Sequence, residues 1–174
     1  MGMEKATALL TACAAAITLS GSVPAAAPAL ADGGVGSLRT PIGGDEGAAV
    51  LNQINATRAA NGCGPVAPNP QLTASAARQA NDMLANGVQG HTGSDGSSPA
   101  QRVMDAGYVS YANLGEIVFW STGPGAGTPA AAVAWWMNSP RHRAIVTDCG
   151  FTDAGFSAVS NGDKFTAAGD FGKT

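Results

Sequence analysis

Apolar positions recur at helical spacing in the first half of the chain. From Asp45 onward, Val50, Leu51 and Ile54 follow a three-and-four spacing that predicts an amphipathic helix ending near Gly62. A second run ends near Gly87 and places five residues on a single side: Leu72, Ala76, Gln79, Ala80 and Met83. Both runs predict helices that pack one face against another layer.

Four dipeptides combine a capping residue with proline and precede apolar-patterned runs: Asn69-Pro70, Ser98-Pro99, Thr128-Pro129 and Ser139-Pro140. Ser, Thr and Asn side chains accept hydrogen bonds from first-turn N–H groups, and proline fits the first helical position. The pattern therefore predicts four helix starts. The second of these helices ends at Gly107, the third runs from Pro129 to Met137, and the fourth is short.

Strand-like segments appear later. Leu114 to Trp120 is apolar and partly β-branched, while Gly155 to Val159 and Lys164 to Phe171 flank the hairpin turn signal Asn161-Gly162. Helices first and a hairpin last predict an α+β fold, with helices against a small antiparallel sheet.

The amino-terminal segment has the pattern of a signal peptide over residues 1–31. It has an apolar stretch from Ala6 to Ser20 and a small-x-small cleavage site at Ala29-Leu30-Ala31. An alternative interpretation makes Cys13 a lipoprotein site. We expect a flexible lead-in over residues 32–44, a single domain over 45–174, and a secreted, extracellular protein.

Charge and hydropathy exclude several classes of function. The net charge is −3 and no basic run occurs, which argues against nucleic acid as a partner. No segment after the signal peptide approaches the roughly 20 apolar residues of a membrane span, so the mature protein is not expected to be transmembrane.

Two cysteines remain after the predicted cleavage, Cys63 and Cys149. In an oxidising compartment such a pair is expected to form one disulfide. Two separate buried thiols are the alternative. A metal site built on both cysteines is disfavoured because they lack ligand spacing.

Three residues are candidates for chemistry. Glu116 lies in an apolar strand, His91 in a glycine-rich loop, and His142 in the first turn of the short last helix. Each also has an ordinary structural interpretation: an outward-facing strand residue, a loop histidine and a capping or packing histidine. Two imidazoles and one carboxylate could bind zinc and leave a position for water, although their spacing in sequence does not bring them together.

Other catalytic motifs do not occur in the sequence. It contains no Gly-x-Ser-x-Gly nucleophile elbow and no His-Glu-x-x-His metalloprotease motif. The glycine-rich loop from Gly123 to Thr128 precedes a helix but lacks the lysine of a phosphate-binding loop.

Several motifs nevertheless resemble, in order, those of one known family. They are His91 to Pro99, Arg102, Ala106-Gly107-Tyr108, Gly115-Glu116, Trp136 to Ala144, and Cys149 to Gly155, with Leu51 to Arg58 as the opening helix. The chain resembles the secreted bacterial, SCP-like branch of the CAP superfamily. That superfamily includes cysteine-rich secretory proteins, antigen 5 and pathogenesis-related 1 proteins.

The resemblance implies a three-layer α-β-α sandwich with a cleft that can bind a divalent cation, often zinc. Carried over by position, His91, Glu116 and His142 would be the metal ligands. The chain departs from the family pattern at Ile117 and Ile145, where asparagine is frequent, and many eukaryotic members have a second acid at the position of Ser139. The ligand set therefore has three residues, with no second acid assigned.

Three hypotheses about function are compatible with His91, Glu116 and His142 as a ligand set. The leading hypothesis is a secreted binding module with a cation-capable cleft, whose partner is a lipid, a sterol or another protein. The alternative is a metal-assisted extracellular hydrolase of protease type, in which zinc would lower the pKa of bound water. In a third, purely structural hypothesis, the polar cluster ties helices to the sheet.

Overall fold

The computed structural model describes residues 44–174, apart from 124 and 126. This part of the chain forms helices α1 (Gly47–Ala60), α2 (Pro70–Asn86), α3 (Pro99–Asp105), α4 (Pro129–Asn138) and α5 (Pro140–Val146). The strands are β1 (Ala67–Pro68), β2 (Asn113–Thr122), β3 (Asp153–Ser160) and β4 (Lys164–Lys173). The predicted helices and the three longer strands are all present, which confirms the α+β class.

Three of the four predicted helix caps are formed. The side chain of Asn69 accepts hydrogen bonds from the backbone of α2, and Ser98 and Thr128 do the same for α3 and α4. The fourth prediction is wrong for the side chain: Pro140 begins α5, but Ser139 makes no cap hydrogen bond to it. The Ser139 hydroxyl instead lies 2.8 Å from His142 Nδ1, so the histidine competes with the backbone for it.

The sheet has the strand order β1-β3-β4-β2. β4 pairs antiparallel with both β3 and β2, and the predicted hairpin closes with Asn161 N–H donating to the carbonyl of Lys164 at 3.1 Å. The two-residue strand β1 pairs parallel with β3 and was not predicted, because two residues show no periodicity. The sheet is therefore antiparallel except at this edge.

Helices cover both faces of the sheet. The larger core lies between the sheet and α1, α4 and α5, with Ile54, Trp136 and Val146 fully buried. The second core lies on the opposite face, where Ala76, Ala80 and Met83 of α2 contact Val118 and Ala168. This arrangement confirms the three-layer α-β-α sandwich.

α2 approaches the sheet closely because β3 has a glycine beneath it. A Cβ atom built on Gly155 would lie 2.0 Å from the backbone nitrogen of Thr73. This short separation brings Ser75 and Gln79 of α2 into the buried layer above β4, where both are fully buried.

The predicted disulfide is confirmed, because Cys63 and Cys149 are bonded across 86 residues of sequence. The predicted signal peptide, the Cys13 alternative and all of the lead-in except residue 44 lie outside the described residues. Within the described range, none of the helices is both long enough and apolar enough to span a membrane.

Candidate functional site

Glu116 is buried on the α2 face of the sheet. Its residue is 7% exposed, and in the antiparallel register of β2 and β4 it lies directly opposite Asp170. The interpretation of Glu116 as an outward-facing strand residue is therefore wrong. A buried carboxylate must be compensated by partners, and Glu116 has two.

Both carboxylate oxygens of Glu116 are hydrogen-bonded. Oε1 lies 2.7 Å from Nδ1 of His91, and Oε2 accepts a hydrogen bond from Nη2 of Arg102 at 2.5 Å. The Arg102 side chain is almost fully buried, whereas half of the His91 side chain is exposed. Glu116 therefore joins a buried cation on α3 to an imidazole at the surface.

Arg102 also organises the loop that carries His91. Nη2 donates to the backbone carbonyl of His91 at 3.0 Å, and Nη1 donates to the carbonyl of Ser97 at 2.9 Å. One guanidinium thus fixes both ends of the loop relative to Glu116. Its planar arrangement of N–H groups suits such multiple bonding, and a lysine could not reproduce it.

Asp170 is a second buried acid beside Glu116. The residue is 1% exposed, and no described residue donates a hydrogen bond to its Oδ2. Burial, followed by the charge of Glu116, raises the pKa of Asp170 to about 8 from an ordinary value of 3.8. At neutral pH this carboxyl is mainly protonated in the free protein.

A cavity of about 380 Å³ opens beside these acids, between α3 and β2. His91, Ser98, Glu116 and Asp170 form its polar side. The remaining lining residues are small or apolar: Pro99, Ala100, Val103, Leu114 and Gly115. A mostly apolar pocket with a few convergent polar groups is the usual form of a small-molecule site.

His142 does not line the cavity. Its Nδ1 is bonded to Ser139, and its ring packs against Trp135 with the ring centroids 4.9 Å apart. Burial, followed by the charge of His91, lowers the pKa of His142.

The residues present fit the predicted metal set only in part. Nδ1 is hydrogen-bonded in both histidines, which orients each ring and leaves Nε2 as the available ligand atom. Glu116, however, uses both oxygens for His91 and Arg102. Across residues 44–174, excluding 124 and 126, no three His, Cys, Asp or Glu side chains are grouped as a metal site.

Two residues of the site were not assigned a role from sequence. Arg102 was noticed only as part of a motif, and Asp170 was not noticed at all. Asp170 shares with Glu116 the one available signal, which is a lone acid within an apolar strand. Placing the two together requires the register of β2 and β4, which the sequence does not specify.

Comparisons with known proteins agree with this fold. The profile of the cysteine-rich secretory protein family, CAP, matches residues 51–171. The uncharacterised protein YkwD of Bacillus subtilis is 30% identical over 117 residues, which are 67% of this chain and 44% of YkwD. The chain thus spans less than half the length of this relative.

Solved structures show the same fold at low identity. A Bacillus anthracis extracellular protein containing an SCP domain superposes with a TM-score of 0.62 and 19% identity, covering 74% of this chain and 40% of that protein. An outer surface protein of Borrelia burgdorferi gives a TM-score of 0.63 and 20% identity, covering 72% of this chain and 90% of that protein. The family profile matches more than half of the sequence, and the fold agrees, so the chain belongs to the CAP family of cysteine-rich secretory proteins.

Proposed function

We propose that this CAP domain is a secreted binding module that takes a small molecule into the cavity between α3 and β2. The observation that carries the proposal is the cavity itself, with apolar walls and a polar side made by His91, Glu116 and Asp170. Its volume of about 380 Å³ is at the low end of the range for small-molecule sites, about 300–1,000 Å³. This size favours a compact ligand over a whole sterol or a long-chain lipid.

Hydrogen bonds hold the side chains on the polar side of the cavity in place, which supports binding. Arg102 fixes the loop of His91, and Glu116 fixes the His91 ring, so the site is organised before a ligand arrives. Preorganised groups lose little entropy on association, which favours affinity.

The proposal is tested by filling the cavity. Ala100→Phe would place an aromatic ring among the lining residues, whereas Ala134→Phe adds the same ring on the exposed face of α4. We expect 1-butanol and butylamine to bind wild type and Ala134→Phe saturably, in a calorimetric or NMR titration, and to lose at least about tenfold in affinity for Ala100→Phe. Equal affinities for all three proteins would contradict the proposal.

Cation binding is a separate proposal for the same region. His91 and His142 would supply imidazole Nε2 atoms, and Glu116 would orient His91 through Nδ1 instead of ligating directly. Zinc titration of wild type and His142→Ala tests this arrangement. A lost or weakened site in the variant is expected, and equal zinc affinity in both proteins would exclude His142 as a ligand.

One observation favours the alternative of a metal-assisted hydrolase. The raised pKa of Asp170 suits a general acid or base near neutral pH, and a bound zinc would supply an activated water. The chain's own residues would then position a substrate between Asp170 and His91. Turnover of peptide or ester substrates that a chelator abolishes would favour this alternative over simple binding.

A further inference from the structure

The carboxyl group of Asp170 lines the cavity and has one oxygen atom that accepts no hydrogen bond from the described part of the chain. Among the described residues, its Oδ2 has no hydrogen-bond partner although the side chain is buried. An unpaired buried acceptor costs roughly 1–3 kcal/mol, so such atoms are rare unless a ligand completes them. Asp170 is one of the residues that line the cavity, at its almost fully covered end.

The surroundings of Asp170 offer it no free cation. The nearby charged or titratable groups are Glu116 on β2, Arg102 on α3 and His91 in the connecting loop. The Nη atoms of Arg102 are committed to Glu116 and to two backbone carbonyls, and Arg102 does not line the cavity.

The remaining elements contribute no charge at this point. α2 presents the neutral side chains of Ser75 and Gln79, and β3 has Gly155 opposite Asp170. A side-chain hydrogen bond from Ser75 lowers the pKa of Asp170, against the larger effects of burial and of Glu116. Gln79 Oε1 and Arg102 Nε are also buried and lack partners among the described residues. None of these three residues lines the cavity.

The polar side of the cavity is therefore acidic. It contains two carboxyl groups, one hydroxyl and one imidazole, and no lysine or arginine. The Asp170 carboxyl is mainly protonated at neutral pH in the free protein, and a cationic ligand would favour its ionised form, with release of one proton. A neutral hydroxyl could donate only one hydrogen bond, whereas an ammonium group offers three donors and a full positive charge.

We propose that the ligand is a small aliphatic amine whose ammonium group binds Asp170 and whose hydrocarbon part packs against Val103 and Leu114. The inference rests on the proposed function, because it names the chemical class of the molecule that the cavity takes. The contact to Oδ2 completes the unpaired acceptor, and the apolar walls bury the methylene groups.

Three probes of similar shape test whether the cavity prefers a positively charged ligand. They are butylamine, 1-butanol and butyrate, titrated into the full domain at neutral pH. We expect butylamine to bind wild type at least about tenfold more tightly than 1-butanol, and butyrate to bind most weakly. Equal affinities for the amine and the alcohol would overturn this inference while leaving the proposed function intact. A wild-type protein that binds none of the probes would contradict both.

Two variants test whether Asp170 is the residue that binds the ammonium group. Asp170→Asn keeps the shape of the side chain and should lower butylamine affinity by about 30-fold or more, with little change for 1-butanol. Asp163→Asn alters an exposed aspartate in the β3–β4 turn and should leave all three affinities unchanged. Unchanged butylamine affinity in Asp170→Asn would overturn the assignment. If this variant does not fold, the wild-type ratio of amine to alcohol affinity decides alone.

Discussion

At the scale of single residues, the structure depends on how two buried acids are compensated. Glu116 is fully compensated, since Arg102 and His91 take both of its oxygens. Asp170, directly across the sheet, is left with an unpaired oxygen. The first acid should therefore stabilise its surroundings, and the second should destabilise them.

Removing the charge of Glu116 should be costly. Glu116→Gln removes the carboxylate that pairs directly with the buried guanidinium of Arg102, and breaking a buried ion pair in this way costs about 3–5 kcal/mol of unfolding free energy. Urea unfolding measures the loss. Glu46→Gln, at an exposed glutamate before α1, should change the stability by less than about 0.5 kcal/mol. A similarly small loss for Glu116→Gln would show that the pair is not a structural ion pair.

Asp170→Asn should have the opposite sign. Because the folded-state pKa is raised, the folded protein binds more protons than the unfolded chain between pH 3.8 and about 8, so wild-type stability falls as pH rises through that window. Asp170→Asn lacks the titrating carboxyl group, so its stability does not fall in this way as pH rises. Its unfolding free energy relative to wild type should increase by at least about 1.4 kcal/mol between acidic and neutral pH, the equivalent of one pKa unit.

Chemical unfolding of both proteins across that pH range tests this prediction. A stability difference that does not change with pH would show that Asp170 titrates normally. A variant that is more stable but loses amine binding would be typical of a residue kept for function.

At the scale of elements, close packing of α2 on β3 sets the depth of the polar layer. In Gly155→Ala the new methyl group would collide with the backbone of Leu72 and Thr73, so the helix must move away from the sheet. Overpacking of this kind costs about 1–3 kcal/mol, measurable by thermal or urea unfolding. Gly64→Ala is the matched control, because its Cβ meets nothing within 4 Å, and a similar loss there would contradict the packing argument.

The elements were largely predictable from sequence because their boundaries are marked chemically. Asn69, Ser98 and Thr128 cap helices that proline begins, and Asn161-Gly162 turns the hairpin. Ser139 has the same sequence signal, but its hydroxyl bonds a histidine one turn later. A local pattern does not reveal such competition between partners.

The site was less predictable because it depends on tertiary register. His91 and Glu116 were found through their chemistry and the family resemblance, yet their contact joins a loop to a strand 25 residues away. Recognising Asp170 as part of the site requires the pairing of β2 with β4. Assigning a role to Arg102 requires both its own contact with Glu116 and the contact of Glu116 with His91. The periodicity of apolar residues in the sequence gives no information about such contacts between distant segments.

At the scale of the whole molecule, the disulfide connects the end of α1 to the segment before β3. It closes a loop of 86 residues and so restricts the unfolded chain, which stabilises the fold by about 4–5 kcal/mol in the chain-entropy description. The double variant Cys63→Ser and Cys149→Ser should lose about this amount in urea unfolding. The reduced wild type should match the variant. A loss below about 1 kcal/mol would indicate that packing alone holds these segments together.

The domain as a whole has a small cavity on one side of its sheet, with apolar walls and a polar side that contains two carboxyl groups. Helices on both faces fix β2, and β2 positions Glu116 between the surface histidine and the buried arginine. A binding function for the CAP domain then depends on whether that cavity accepts a molecule.

Methyl-resolved NMR with butylamine tests this claim most directly. The methyl groups of Val103 and Leu114 line the cavity, whereas those of Val50 and Leu51 belong to the core on the opposite face of the sheet. We predict saturable shifts at Val103 and Leu114, and none at Val50 and Leu51. Shifts that do not saturate, or that are equally large at both pairs, would contradict binding in the cavity.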